Sequence, residues 1–322
     1  MTLLSEMDVQ SGPTRMALQG VPPCFPKWRH PTPKRPFRHV FLRKDYFPLG
    51  HGRANRAKCM NADWHALSGR AKIDDGDALN PWPIIVPAAA LGIAGIAAWG
   101  AVAPSSELYG HTLRHTSAAK KIALTFDDGP NPAVTPRLLE LFDRYGVHAT
   151  FFLIGKFARA CPELVREIST RGHQIGNHTE THANLIFQSR AGIRDELARC
   201  QEAIATAARG EPPRWMRPPY GYRSPLLGGE VRRAGLQGVV MWSKICWDWN
   251  PQPPGRLIER LASVARPDGS RGDIVVLHDG DHRALGGDRQ HVAAALEHWL
   301  PRWRDAGIEF VTIGSLAARG SK

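Results

Sequence analysis

Two adjacent carboxylates, Asp127 and Asp128, stand inside Thr125-Phe126-Asp127-Asp128-Gly129-Pro130, directly after the short run Lys121-Ile122-Ala123-Leu124. Neighbouring residues at a strand end point to opposite faces, so the two acids can serve different partners. Gly129-Pro130 turns the chain and stops the strand. The hexapeptide also suits an ordinary solvated turn, and the residues downstream decide between these readings. His178 and His182 are four apart, so on a helical turn both imidazoles share a face and can grip one ion. Two histidines at that spacing are by themselves more often surface residues. With one carboxylate they make a two-histidine, one-carboxylate site with open positions for water, the donor set of catalytic zinc, which other divalent metals tolerate. His173 falls inside a strand pattern and reads as packed.

From Lys120 onward, short β-like runs alternate with helical patterns: 122–126 then 136–145, 149–154 then 162–171, 173–176 then 191–208, 214–217 then 226–234, 238–242 then 256–265, 274–277 then 291–304, and 310–313 at the end. Seven strands separated by helices imply a parallel α/β arrangement. In a β/α barrel the reactive residues sit where strands end and loops begin. Each polar cluster here does follow an apolar run: Asp127-Asp128, then His178 to His182, Arg217-Pro218-Pro219-Tyr220, Asp248-Trp249 and His278-Asp279. Five strand ends converging on one face would make a single site. Trp215, Trp242, Trp247 and Trp249 lie near these clusters, where indoles can stack on sugar rings. A place in the core is the simpler account of any one of them.

In order, spacing and residue type, the Thr125 to Pro130 segment, the His178–His182 cluster, Arg217-Pro218-Pro219-Tyr220, Asp248-Trp249 and Val276-Leu277-His278 resemble the five motifs of the polysaccharide deacetylase family, the NodB homology domain of carbohydrate esterase family 4. The resemblance spans residues 120–316 and implies a distorted (β/α) barrel of about seven strands. It also implies roles. Asp128, His178 and His182 match the metal ligands, for zinc or another divalent ion such as cobalt, and Asp127 matches the general base. Tyr220 matches the backbone N–H that, with the metal, stabilises the oxyanion, and His278 the acid that protonates the leaving amine. Arg217 and Asp248 resemble the partners that orient Asp127 and His278. Pro219, Tyr220 and Trp249 match substrate-binding positions. The implied reaction is removal of N-acetyl groups from N-acetylglucosamine units of a peptidoglycan or chitin-like glycan. O-acetyl ester or small-amide hydrolysis, or glycan binding on an inactive scaffold, are the alternatives. Two positions depart from the family: Ile245 stands where an aspartate is frequent, and Val276 where a leucine is usual. Both bear on the pocket floor.

The net charge is +12, and residues 1–80 hold thirteen Lys/Arg against seven Asp/Glu, half of that excess. No recognition-helix pattern or clustered basic stripe favours nucleic acid, and an anionic cell wall or lipid suits the charge at least as well. No protein partner can be inferred. Dense prolines, as in Pro31-Thr32-Pro33-Lys34-Arg35-Pro36, break helix and sheet. The 1–80 segment therefore reads as a disordered tail, or as the product of a start misassigned upstream of Met60. Between Asp77 and Glu107 no residue is charged, and residues 82–103 suffice to cross a bilayer, which takes about 20. A cleaved signal peptide is the rival, but Pro104 after Ala101-Val102-Ala103 disfavours cleavage, and eighty residues exceed any n-region. The expected arrangement is one membrane helix, a linker at 104–119, and a catalytic domain outside the cytoplasmic membrane. Five widely spaced cysteines, with no Cys-x-x-Cys pair, suggest neither a disulfide framework nor a zinc ribbon.

Overall fold

The computed structural model describes residues 81–264 and 271–317; the tail expected at 1–80, with Cys24 and Cys59, lies outside them. The described residues belong to one compact unit, 80–322. Nine strands are present among the described residues: β1 (Thr112–Leu113), β2 (Lys121–Gly129), β3 (Thr150–Leu153), β4 (Gln174–Asn177), β5 (Trp215–Met216), β6 (Gly238–Val240), β7 (Lys244–Ile245), β8 (Ile274–His278) and β9 (Glu309–Phe310). The order across the sheet is β1-β6-β5-β4-β3-β2-β8-β7, with β9 on the start of β2, and every strand pairing is parallel. This is the distorted (β/α) barrel expected from the sequence. The count rises from about seven because β1 and β7, two residues each, lie outside the apolar runs that mark the other strands.

Strand β2, nine residues long, pairs with three strands, β3, β8 and β9. Lys121 is its one partly exposed residue and the other eight are buried, as befits a parallel strand covered on both faces. Phe126 on β2 stacks on Phe151 of β3 with ring centroids 5.1 Å apart, and meets Phe142 of the helix Thr135–Tyr145 at 5.6 Å. That helix opens with Pro136 in its first turn and stops at Gly146, whose φ of 65° suits the left-handed cap. Ser189 caps the helix Arg190–Ala208 by accepting from the Gly192 N–H at 3.1 Å. Cys161, Cys200 and Cys246 are packed into the core.

The helix Trp82–Val102 has 21 residues, no charge, and a largely exposed apolar surface. Within the stretch read as a linker, Ser106 is buried and β1 pairs with β6.

Parallel register places the strand ends at one level. Asp127 lies opposite His278 across the β2–β8 ladder, while Asn177 is paired with both Leu153 and Met216. His178 and Arg217 are therefore the first residues beyond adjacent strands. The aromatic cluster under β2 sets the height of the aspartates above it. Phe126→Ala is expected to lower stability by about 3–5 kcal/mol, whereas Phe187→Ala, at a side chain 83% exposed, should stay within about 0.5 kcal/mol. Urea midpoints at unchanged m measure both.

Candidate active site

Asp127 and Asp128 do not part to opposite faces; both line one cavity. The β2–β3 register slips between Asp127 and Gly129, and Asp128 takes a φ of 69°. That bulge rotates the second carboxylate back toward the first. Close backbone approach permits it: a Cβ on Gly280 would run into the Asp128 carbonyl. Asn131 ties the neighbouring loop down by donating to the Asp279 and Gly287 carbonyls at 2.7 and 2.8 Å.

His178 and His182 face Asp128, though not from a helical turn. They lie in the loop after β4, where Thr179 and His182 have φ of 64° and 61° and the Thr179 N–H donates to Asn177 Oδ1 at 2.8 Å. Asp128 Oδ1 is 3.5 Å from His178 Nε2 and 3.2 Å from His182 Nε2. All three residues are buried, and their ligating atoms fall within 4.8 Å of one another. Nδ1–H of His178 donates to the Arg217 carbonyl at 2.8 Å, so its Nε2 lone pair points into the site. Asp128 Oδ1 is buried and accepts no hydrogen bond, as suits an atom meant for a cation. Burial pushes the Asp128 carboxyl up, but His178, His182 and His282 outweigh it and hold it well below the usual carboxylate range. Burial pulls His182 down, with His178 and His282 adding to the effect and Asp128 opposing it. One carboxylate and two imidazoles converging on one point is the donor set a divalent metal takes.

Two further pairs flank this trio. Arg217, fully buried, donates from one guanidinium nitrogen to Asp127 Oδ1 at 2.8 Å and to Thr125 Oγ1 at 2.7 Å. Its other nitrogens reach the Val240 and Met241 carbonyls at 3.3 and 3.1 Å, and its plane lies 4.4 Å over the Phe152 ring. Opposite, His278 Nδ1–H donates to Asp248 Oδ1 at 2.9 Å, and the His278 backbone N–H donates to Oδ2 at 2.6 Å. Burial lowers the His278 imidazolium, yet Asp248, with smaller contributions from Asp128 and Asp127, raises it to about 9. His173 is elsewhere, packed on Phe142 and Phe151, and burial brings it to about 4.

The cavity has a volume of about 800 Å³. Tyr220, at φ 60° in the turn Pro219–Gly221, meets His182 edge to face with ring centroids 4.6 Å apart. Trp249 meets His278 at 6.0 Å and Trp247 at 5.0 Å. Trp242, Trp247 and Trp249 line the cavity; Trp215 is in the core. Pro219 is buried beneath its turn. Ile245 and Val276, the two departures from the family pattern, are register partners across β7–β8 and both reach the cavity.

Sequence reading overlooked His282. Its ring stacks on His182 at 4.3 Å, its Nδ1 is 3.6 Å from Asp128 Oδ2, and its carbonyl accepts from Lys156 Nζ at 3.0 Å. Its recurrence four residues after His278, in His278-Asp279-Gly280-Asp281-His282, was the available signal.

Known proteins carry the same architecture. The family described as Polysaccharide deacetylase matches residues 114–239. A chitooligosaccharide deacetylase of Bradyrhizobium sp. (strain ANU 289) is 35% identical over 199 residues, covering 60% of this chain and 89% of the relative. A peptidoglycan-N-acetylglucosamine deacetylase of Bacillus cereus (strain ATCC 14579) is 35% identical over 202 residues, covering 61% and 88%. The solved structure of the Bc1960 peptidoglycan N-acetylglucosamine deacetylase superposes with a TM-score of 0.56 at 29% identity, covering 64% of this chain and 91% of that one. With the strand-end cluster in place and nearly the whole of these relatives spanned, the chain belongs to the polysaccharide deacetylase family.

Proposed function

We propose that this enzyme hydrolyses the acetamide of N-acetylglucosamine units in a glycan, peptidoglycan or chitin-like, and releases acetate. The observation that most supports it is the pairing, in one cavity, of a carboxylate held by arginine (Asp127 with Arg217) and an imidazole held by aspartate (His278 with Asp248) around a potential cation site. The relatives' names, chitooligosaccharide and peptidoglycan-N-acetylglucosamine deacetylase, favour an amide substrate. A divalent cation held by Asp128, His178 and His182, zinc by the preference for two imidazoles and a carboxylate, would polarise the acetyl carbonyl and acidify water.

Asp127 takes a proton from the attacking water as its oxygen bonds to the acetyl carbon. Arg217 holds one Asp127 oxygen and leaves the other to that proton. The backbone N–H of Tyr220, in its left-handed turn, donates to the carbonyl oxygen as charge builds there. His278 gives its Nε2 proton to the nitrogen, the C–N bond breaks, and a neutral amine departs with acetate left behind. Trp249 lines the cavity and offers an indole face to the sugar, while the buried Pro219 opens the turn that carries Tyr220.

We also infer that the helix Trp82–Val102 anchors the enzyme in the cytoplasmic membrane with the catalytic domain outside. Its 21 uncharged residues and exposed apolar surface support this. Protease added to intact spheroplasts should digest the domain; survival until lysis would reverse the orientation.

Acetate release from N-acetylglucosamine oligosaccharides, set against release from acetylated xylan, tests the amide reading, and faster ester cleavage would sink it. In the same assay His278→Ala and Asp127→Asn should lose roughly 10²–10⁴-fold while retaining metal. His182→Ala and Asp128→Asn should instead arrive metal-depleted, and His173→Ala should stay loaded. Metal analysis of the five variants separates ligand from base.

The pH profile carries the sign of the His278 shift. The acid form is lost as pH rises through its raised value, about 9 before a cation lowers it. Asp248→Asn removes the carboxylate that supports the imidazolium, so the alkaline limb of kcat/KM should move to lower pH. A limb that stays put would dissociate it from His278.

A further inference from the structure

The C-terminal end of the helix Trp82–Val102 is a wall of the catalytic cavity: Val102 and Pro104 line it together with Asp128, His182 and Tyr220. The loop after β5 grips that end. Arg223, only 1% exposed, donates its backbone N–H to the Ala101 carbonyl at 2.9 Å, and its guanidinium donates to the carbonyls of Ala103 and, at 2.6 Å, Ser106. Tyr109 Oη–H reaches back to the Ala97 carbonyl at 3.0 Å. Gly100 is buried because Leu108 and Tyr109 occupy the space a side chain would need. The gripping loop runs straight on from Arg217 through Tyr220 to Arg223, so the site and the helix end share one piece of backbone. The first gripped carbonyl, Ala101, is still inside the helix. There is accordingly no length of free chain between the helix and the cavity.

Twenty-one helical residues span about 31 Å at 1.5 Å each, against a hydrocarbon core of about 30 Å. Trp82 and Trp99, both more than half exposed, lie near the two ends, where indoles settle at the membrane interface. If the helix spans, the cavity wall built by Val102 and Pro104 lies at the interface itself. A cavity of that volume is on the order of 10 Å across, which fixes how far from the bilayer a sugar can be and still reach Asp127 and His278.

We propose that the cleft takes its acetylated sugar from saccharides joined to a membrane lipid, and that the gripped helix end excludes glycan held farther from the bilayer. The inference rests on the deacetylation and membrane readings above. A polymer remote from the membrane would call for a flexible tether, which extends about 3.3–3.6 Å per residue; residues 101–106 are instead bound to the domain. A lipid-linked saccharide brings its first sugars to the height of Val102.

The full chain reconstituted in phosphatidylcholine vesicles tests this, with an N-acetylglucosamine oligosaccharide carried on a lipid either directly or through oligoproline spacers of ten and twenty residues, at about 3.1 Å per residue. Acetate release should be fastest with direct attachment and fall at least about tenfold with the ten-residue spacer. A second protein, with twenty Gly/Ser residues inserted between Trp99 and Gly100, keeps residues 100–106 on the domain but frees it to rise, and should act at every spacer length. Equal rates at all heights in the native chain, or faster release from the longest spacer, overturn the proposal. The soluble oligosaccharide assayed in detergent keeps the two readings apart. Acetate from it, with no height dependence in vesicles, removes only this inference. No acetate from any probe removes the deacetylation reading and this inference together.

Discussion

The fully buried guanidinium of Arg217 is the interaction on which the site depends. A lone buried charge costs several kcal/mol, and the cost is met only where its hydrogen bonds are made. Here Asp127, Thr125 and two backbone carbonyls supply them. The partners fall in two pairs, Thr125 and Asp127 on β2 and Val240 and Met241 at the end of β6, so satisfying one side chain aligns β2 with the loops after β5 and β6. The residue's own carbonyl meanwhile accepts from His178. One arginine thus orients the carboxylate on one side and fixes an imidazole tautomer on the other. Lysine, with a point charge and no fork, could not bond Asp127, Thr125 and both carbonyls at once.

Backbone strain is concentrated at the same place. Asp128, Thr179, His182, Tyr220 and Trp247 all have positive φ, and four of these five line the cavity. At about 1–3 kcal/mol each, such conformations together cost as much as a domain's net stability of about 5–15 kcal/mol. They persist because the aromatic core and the glycines at 129 and 280, which let Asp279 and Asp128 approach, leave no other course for the chain.

Charge is distributed so that neighbouring acids differ. Asp128 is held ionised by three imidazoles, while Asp279 behind it is raised to about 7, first by burial and further by Asp128, against the hydrogen bond from Thr135. His278 is raised by Asp248 while His182 is lowered by burial. Groups of one chemical type are thereby separated into proton carriers and lone-pair donors by surroundings alone.

The alternation of apolar runs with helical patterns, and a polar cluster after each of five runs, were enough to read a parallel α/β arrangement with candidate clusters at its strand ends; the barrel and the roles expected of Asp127, Asp128, His178, His182, Arg217, Tyr220, Asp248 and His278 came from the resemblance of those clusters to the deacetylase motifs. Local periodicity carries that information because a strand or helix is decided by neighbours in sequence. Strands β1 and β7 lie outside the apolar runs and so left no such mark. What the tertiary structure alone decided is how strand ends meet. The bulge that turns Asp128 beside Asp127, the left-handed loop that replaces the expected helical turn at His178–His182, and His282 stacked on His182 all depend on contacts between distant segments. So does the seat of the helix end on Arg223. A hydrophobic run specifies a span by composition, but its place against a cavity 120 residues farther along is set by a hydrogen bond that no periodicity encodes.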